Sequence, residues 1–142
     1  MKHNEAITKL LKGHRLKRTS TRSEILNLYY ESKHALAHKD IELELSEKFD
    51  RVTIYRTLNT FEEKGIIHKI FDGSAFVKYA LCGTECHDLH EHHHNHIHFT
   101  CNKCEKTFCI EEIAAPKITM PRNFKAENVY LVAKGLCDNC NS

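Results

Sequence analysis

The chain has 142 residues, 28% of them charged, and a formal net charge of +2. That length holds one ordinary domain or two very small ones. The opening Met1-Lys-His-Asn-Glu-Ala-Ile7 lacks the apolar core of an export signal, and no apolar run approaches the ~20 residues of a membrane span. The expectation is a cytoplasmic protein without a membrane partner, in which seven cysteines and twelve histidines stay reduced and open to metal.

Residues 1–22 carry Lys2, Lys9, Lys12, Arg15, Lys17, Arg18 and Arg22 against one acid, Glu5. Such an arm fits phosphate contact or a solvated helix face. Ile7, Leu10 and Leu11 recur at helical spacing before a stop at Gly13. Thr21-Arg-Ser-Glu24 reads as a capping box opening a second helix with Ile25, Leu28 and Tyr29 inward. Ile41, Leu45 and Phe49 mark a third helix. Asp50 is the expected N-cap of a fourth that runs to Gly65, with Ile54, Leu58 and Phe61 as its core stripe and Arg56 and Asn59 opposite.

Ile66–Phe71 and Ala75–Leu81, separated by Asp72-Gly73, read as a β-hairpin. Helices followed by a hairpin describe a winged helix, whose last helix enters the DNA major groove. Thr53, Tyr55, Arg56 and Asn59 would then face base edges and phosphates, with Lys17 and Arg18 on phosphate or in the minor groove. The bland alternative is a helical domain that merely packs.

Beyond Leu81 the composition shifts to Cys, Gly, Thr and His. Seven of the twelve histidines fall between Cys82 and Cys104. Ile97–Thr100, Thr107–Ile110 and Val129–Ala133 read as short strands, and Glu111–Ala115 as a brief helix halted by Pro116. Cys101-x-x-Cys104 and Cys137-x-x-Cys140 are two knuckles separated by a segment long enough to fold back. Together they supply the four thiolates of a closed structural zinc site, Zn2+ being the expected ion. The alternative is two surface redox pairs or disulfides, which the odd cysteine total argues against.

In this order of parts the chain resembles the ferric uptake regulator family of metal-dependent repressors. The resemblance lies in Val52-Thr-Ile-Tyr55-Arg56-Thr-Leu58-Asn59-Thr-Phe61-Glu-Glu-Lys-Gly65-Ile-Ile, in Arg18-Thr19…Arg22…Ile25-Leu26, and in His96-x-His98-x-x-Cys101-x-x-Cys104…Cys137-x-x-Cys140. It implies an α+β architecture: a winged-helix DNA-binding domain at 1–82, a His-rich hinge at 83–95, and an α/β dimerisation domain with the four-cysteine site at 96–142. It also implies a homodimer on double-stranded, inverted-repeat operator DNA when a regulatory metal is loaded, and a regulator rather than an enzyme.

His96 and His98 match two sensing histidines of that family. Ile97, Ala80 and Cys109 stand where its iron-sensing pattern has acidic residues, so hard oxygen donors are missing. Tyr79-x-x-Cys82 resembles the zinc uptake regulator branch, in which a Cys after the wing and an Asp at its start join the His pair; the start-of-wing position here is His68. The regulatory set implied is therefore His68, Cys82, His96 and His98, with Zn2+ favoured and Fe2+ or Mn2+ as alternatives. The plainer readings are His68 exposed on the wing against DNA backbone and Cys82 as a small buried hydrophobe. His34 and Cys109 are reserve candidates. Cys86, His87, His90, His92, His93 and His94 form either a weak metal-capturing insert or a polar linker. In the repressor reading, ligands from both sides of the hinge set the spacing of two recognition helices. Two rival readings are an iron or peroxide sensor of the same family and a zinc-buffering His-rich protein. A zinc hydrolase is disfavoured, because His90-Glu91 lacks the spacing of a deaminase and no proline precedes either knuckle.

Overall fold

A computed structural model of the chain describes residues 3–70, 73, 76–81, 96–114, 116–127 and 129–142. Four helices come first: α1 (Asn4–Gly13), α2 (Ser20–Ser32), α3 (His38–Leu45) and α4 (Arg51–Glu63). The first three-stranded sheet is β1 (Leu36–Ala37), β2 (Ile67–Ile70) and β3 (Lys78–Leu81), ordered β1-β3-β2. The second is β4 (His96–Cys101), β5 (Thr107–Ala114) and β6 (Val132–Gly135), ordered β5-β4-β6. Among the described residues no helix is long and apolar enough to cross a membrane.

The helices form where the apolar period puts them. Ile7 and Leu11 of α1, Ile25, Leu26 and Tyr29 of α2, Ile41 and Leu45 of α3, and Ile54, Leu58 and Phe61 of α4 are buried in one cluster. Asp50 caps α4 as expected, its Oδ1 accepting the Thr53 N–H at 2.8 Å, and Gly65 beyond the helix takes φ +75°, open to glycine at little cost. Phe49 lies past the end of α3 but packs against the cluster. Phe61 is fully shielded at its centre. Phe61→Ala is expected to cost about 3–5 kcal/mol, read as a shift of the denaturant midpoint; a shift worth under about 1 kcal/mol would show that the cluster collapses around the gap.

Several expectations change. The cap of α2 is Thr19, whose hydroxyl accepts the Arg22 N–H at 3.2 Å, so the helix starts before the Thr21–Glu24 box. Leu26, absent from the expected inner face, is buried, while Leu28 is only partly so. The hairpin is looser than Asp72-Gly73 suggested. Ile70 pairs with Lys78, whereas a two-residue turn at 72–73 would pair residue 71 with 74. The turn residue Asp72 itself lies outside the described residues. β1 adds an edge strand by pairing Leu36 with Tyr79 and Ala37 with Lys78. Glu111–Ala114 is not a helix: β5 continues through it, and β4/β5 shifts register between His96 and Ile97. β6 starts at Val132 rather than at residue 129 and runs parallel to β4, Cys101 opposite Gly135.

Candidate metal centre and nucleic-acid interface

The two knuckles meet because β4 and β6 are parallel neighbours. Cys101 ends β4, and Cys137 follows two residues after Gly135, its β4 partner's position in β6. The reactive sulfurs of Cys101, Cys104, Cys137 and Cys140 all lie within 4.8 Å of one another, and Cys104 and Cys137 are 3.8 Å apart. Zn–S bonds of about 2.3 Å in a tetrahedron give sulfur–sulfur edges of about 3.8 Å, so the donor set fits a zinc-sized ion. The separation is far longer than the ~2.05 Å of a disulfide.

Backbone amides prepare the site. The N–H groups of Cys104 and Cys137 each point at Cys101 Sγ at 3.5 Å. These bonds, that of Cys104 foremost, hold the Cys101 thiol down at about 6, so it is largely thiolate at neutral pH. The thiol of Cys140 is pushed up to about 12 by its bond with Cys137 and by burial. An electron-rich sulfur therefore sits beside a proton-bearing one, an arrangement that a cation would relieve.

A second meeting point joins the two sheets. His68 of β2 is 6% exposed and His98 of β4 is 4% exposed, with ring centroids 5.7 Å apart and planes tilted by 43°. Burial overturns the reading of His68 as a wing residue exposed to DNA. Zn–N bonds of about 2 Å put two imidazoles sharing a tetrahedral ion about 5 Å apart between centroids, so this pair fits a shared cation. Cys82 and the side chain of His96 lie outside the described residues, as do Cys86, His87, His90 and His92–His94. Cys109 is half-buried and directly across from His98 on β5. Among the described residues, however, only the four knuckle cysteines close into a ligand group of three or more. The Nδ1 of His34 lies 2.9 Å from the Ala35 carbonyl, and its ring stands edge-on to Phe108 at 6.2 Å.

The expected DNA-facing residues differ in freedom. Arg56 and Asn59 project from α4 into solvent, and Thr53 is half-exposed. Tyr55 is engaged with α3. Its hydroxyl donates to Glu42 Oε2 at 3.5 Å, the Arg51 guanidinium lies 5.2 Å above its ring, and His38 meets it edge-on at 4.7 Å. His38 also stacks on Tyr79 at 4.9 Å, and burial lowers its pKa. Arg51, Glu42 and His38 were missed as supports of Tyr55; the four-residue step from Arg51 to Tyr55 on one helix face was the available signal. Lys17 is exposed, and Arg18 donates to the Asn4 carbonyl at 3.2 Å, to the Asn4 side-chain oxygen and to the Thr8 hydroxyl.

The sequence model of the ferric uptake regulator family matches residues 13–134. This chain belongs to that family. It is thus a metal-responsive, DNA-binding transcription regulator and not an enzyme. Among ferric uptake regulator relatives, the ferric uptake regulation protein of Staphylococcus aureus is 31% identical over 99% of this chain and 98% of its own length. The structure of the Francisella tularensis ferric uptake regulator with iron shares 26% identity, covering 89% of this chain and 96% of that one, with a TM-score of 0.53. A zinc uptake regulator complexed with zinc and DNA shares the fold at 21% identity, covering 99% and 96%, with a TM-score of 0.65.

Proposed function

We propose that this chain is a zinc-responsive repressor that binds an inverted-repeat operator as a homodimer in the cytoplasm. The observation that carries the reading is the buried pair His68–His98, two imidazoles from different sheets within reach of one ion. With Cys82 and His96, whose side chains lie outside the described residues, they would make a donor set of three imidazoles and one thiolate, which suits zinc. In this reading residues 1–82 are the DNA-binding unit, 83–95 the hinge and 96–142 the dimerisation unit. A zinc ion held by the four knuckle cysteines would cross-link the second unit. His68 on β2 and His98 on β4 would hold a cation between the two sheets, which would supply a point of shared coordination. The metal favours DNA binding to the extent that it prefers the state in which these residues converge.

The dimer is supported by Ile113, Ile118, Phe124, Val129, Tyr130 and Leu136, large apolar side chains exposed on the second unit. On α4, Arg56 and Asn59 would meet the major groove with Thr53, while Tyr55 stays braced until DNA replaces Glu42; Lys17 and Arg18 would face phosphate. A second reading, an iron- or manganese-responsive regulator, is favoured by the ferric uptake relatives. The buffering reading rests on the His-rich run alone.

The test is operator binding by the purified dimer, with zinc, ferrous iron and manganese titrated separately while the knuckle metal is retained. Binding restored by zinc alone supports the proposal, and restoration by iron or manganese supports the second reading. Specific binding without any metal dependence ends both. Arg56→Ala is expected to weaken operator binding by about 1–3 kcal/mol with relaxed specificity, checked by fluorescence anisotropy; unchanged affinity at physiological salt would remove Arg56 from the interface.

A further inference from the structure

The wing strand and the four-cysteine knuckle are physically tied. Lys78 occupies the first position of β3, the central strand of the first sheet, with Ala37 on one side and Ile70 on the other. Its side chain leaves that sheet and donates from Nζ to the Glu105 carbonyl at 2.7 Å and to Thr107 Oγ1 at 3.1 Å. Glu105 directly follows Cys104 and takes φ +62°, a left-handed turn conformation. The same turn is closed by the Glu105 N–H on the Cys101 carbonyl and the Cys101 N–H on the Lys106 carbonyl, both at 3.0 Å. Thr107 is fully buried, and its hydroxyl also meets Thr100 Oγ1 at 3.1 Å. A parallel tie runs from the Ala35 N–H, beside β1, to the Thr107 carbonyl at 2.7 Å.

The turn that carries Cys101 and Cys104 therefore hands its carbonyl to a cation on the wing. A carbonyl can hold this position only while the turn keeps its shape, and that shape is what four thiolates gathered round one ion would hold. We propose that Lys78 is a positioning residue that couples the state of the four-cysteine knuckle to the placement of the wing, making the knuckle a second input to DNA binding besides the hinge. The DNA half of this inference rests on the winged-helix reading above; the coupling itself does not.

A lysine on a wing has an obvious competing role, contact with DNA phosphate. The two roles separate in the salt dependence. A phosphate contact contributes about one unit to the slope of log affinity against log salt, whereas a residue that only positions the wing changes affinity at constant slope. Lys78→Met keeps the aliphatic stem and removes the donor. Two measurements on the full-length, metal-loaded protein decide the matter. In amide hydrogen exchange without DNA, Lys78→Met is expected to speed exchange about tenfold both in β3 and in the 101–107 turn, the change one charge-assisted hydrogen bond carries. Linkage requires the effect to run both ways. Stripping the knuckle metal from the unsubstituted protein should loosen β3 as well as the turn, and in Lys78→Met the same treatment should loosen the turn with no further change in β3. Exchange confined to β3 in the variant, or a β3 response to metal removal that is the same with and without Lys78, would overturn the coupling. In operator titrations, lower affinity at unchanged salt slope supports positioning, and a slope reduced by about one overturns it in favour of phosphate contact. Should the unsubstituted protein bind no operator at all, the winged-helix reading and the DNA half of the inference fall together, while the exchange result still decides the coupling.

Discussion

Cys101→Ser is expected to empty the knuckle: the purified variant carries one zinc fewer per chain, and residues 96–142 lose cooperative unfolding. Cys101 is the completely shielded member of the four and the one whose sulfur receives two backbone N–H groups. A serine hydroxyl there still offers the two amides an acceptor but supplies no thiolate, leaving three ligands for the ion. Among the described residues, the second sheet buries few apolar side chains within its own chain, since Phe99, Phe108 and Leu131 stay only half-buried and Tyr130 and Leu136 are exposed. Structural zinc sites in zinc-finger peptides carry apparent binding free energies of about 10–16 kcal/mol, comparable to the stability of a whole ordinary domain. Metal content by mass spectrometry of the native protein and a melting curve check this together. Full zinc content with an unchanged melt would mean that the four sulfurs meet for some other purpose.

His98→Ala should leave the knuckle metal in place and abolish the metal response of DNA binding. Changes to residues that merely support a ligand cost about 10–100-fold in metal affinity, so loss of a ligand from a buried pair should exceed that range. His68→Ala should match it, because the two rings face one another across the sheets. The informative comparison is between them: competition titration with a chromogenic chelator should show both variants retaining the tightly held knuckle ion and losing the weaker, exchangeable one. If either variant still switches operator affinity with the wild-type metal profile, the sensing site lies elsewhere in the chain.

Much of this was legible because it depended on period and spacing. A four-residue apolar rhythm specifies an inner helix face whatever the tertiary context, and Asp50 caps α4 because its short carboxylate reaches the Thr53 amide only at a helix start. The knuckles were legible because two-residue spacing suits one ion. What escaped depended on neighbours distant in sequence. β1 is two residues long, too short for any alternation to register. Glu111–Ala114 is extended because β4 pairs on both sides of it, Ile97 with Ile110 and His96 with Ala114, a long-range constraint that overrides the local signal of a segment before proline. The Asp72-Gly73 hint of a tight hairpin lost to the pairing of Ile70 with Lys78. The contact of His34 with Phe108 comes from 74 positions away in sequence and could not be read from spacing. Lys78 reads as one more surface cation until its partner carbonyl, 27 residues on, is seen.

The parallel pairing of β4 and β6 has a bearing on how the molecule is made. β4 can pair with β5 as soon as both have left the ribosome, but its other edge stays open until Val132 has been synthesised. Cys104 and Cys137 are 33 positions apart, so an ion clasping them restricts an otherwise free loop and, by the chain-entropy estimate used for disulfides, disfavours the unfolded ensemble by about 3–4 kcal/mol. The helical unit, complete by Leu81, would already be folded. Metal supply during translation would then decide how long an unpaired strand edge is left available to a neighbouring nascent chain, and zinc-starved cells would be expected to lose this protein to aggregation before they lose its DNA-binding half to unfolding.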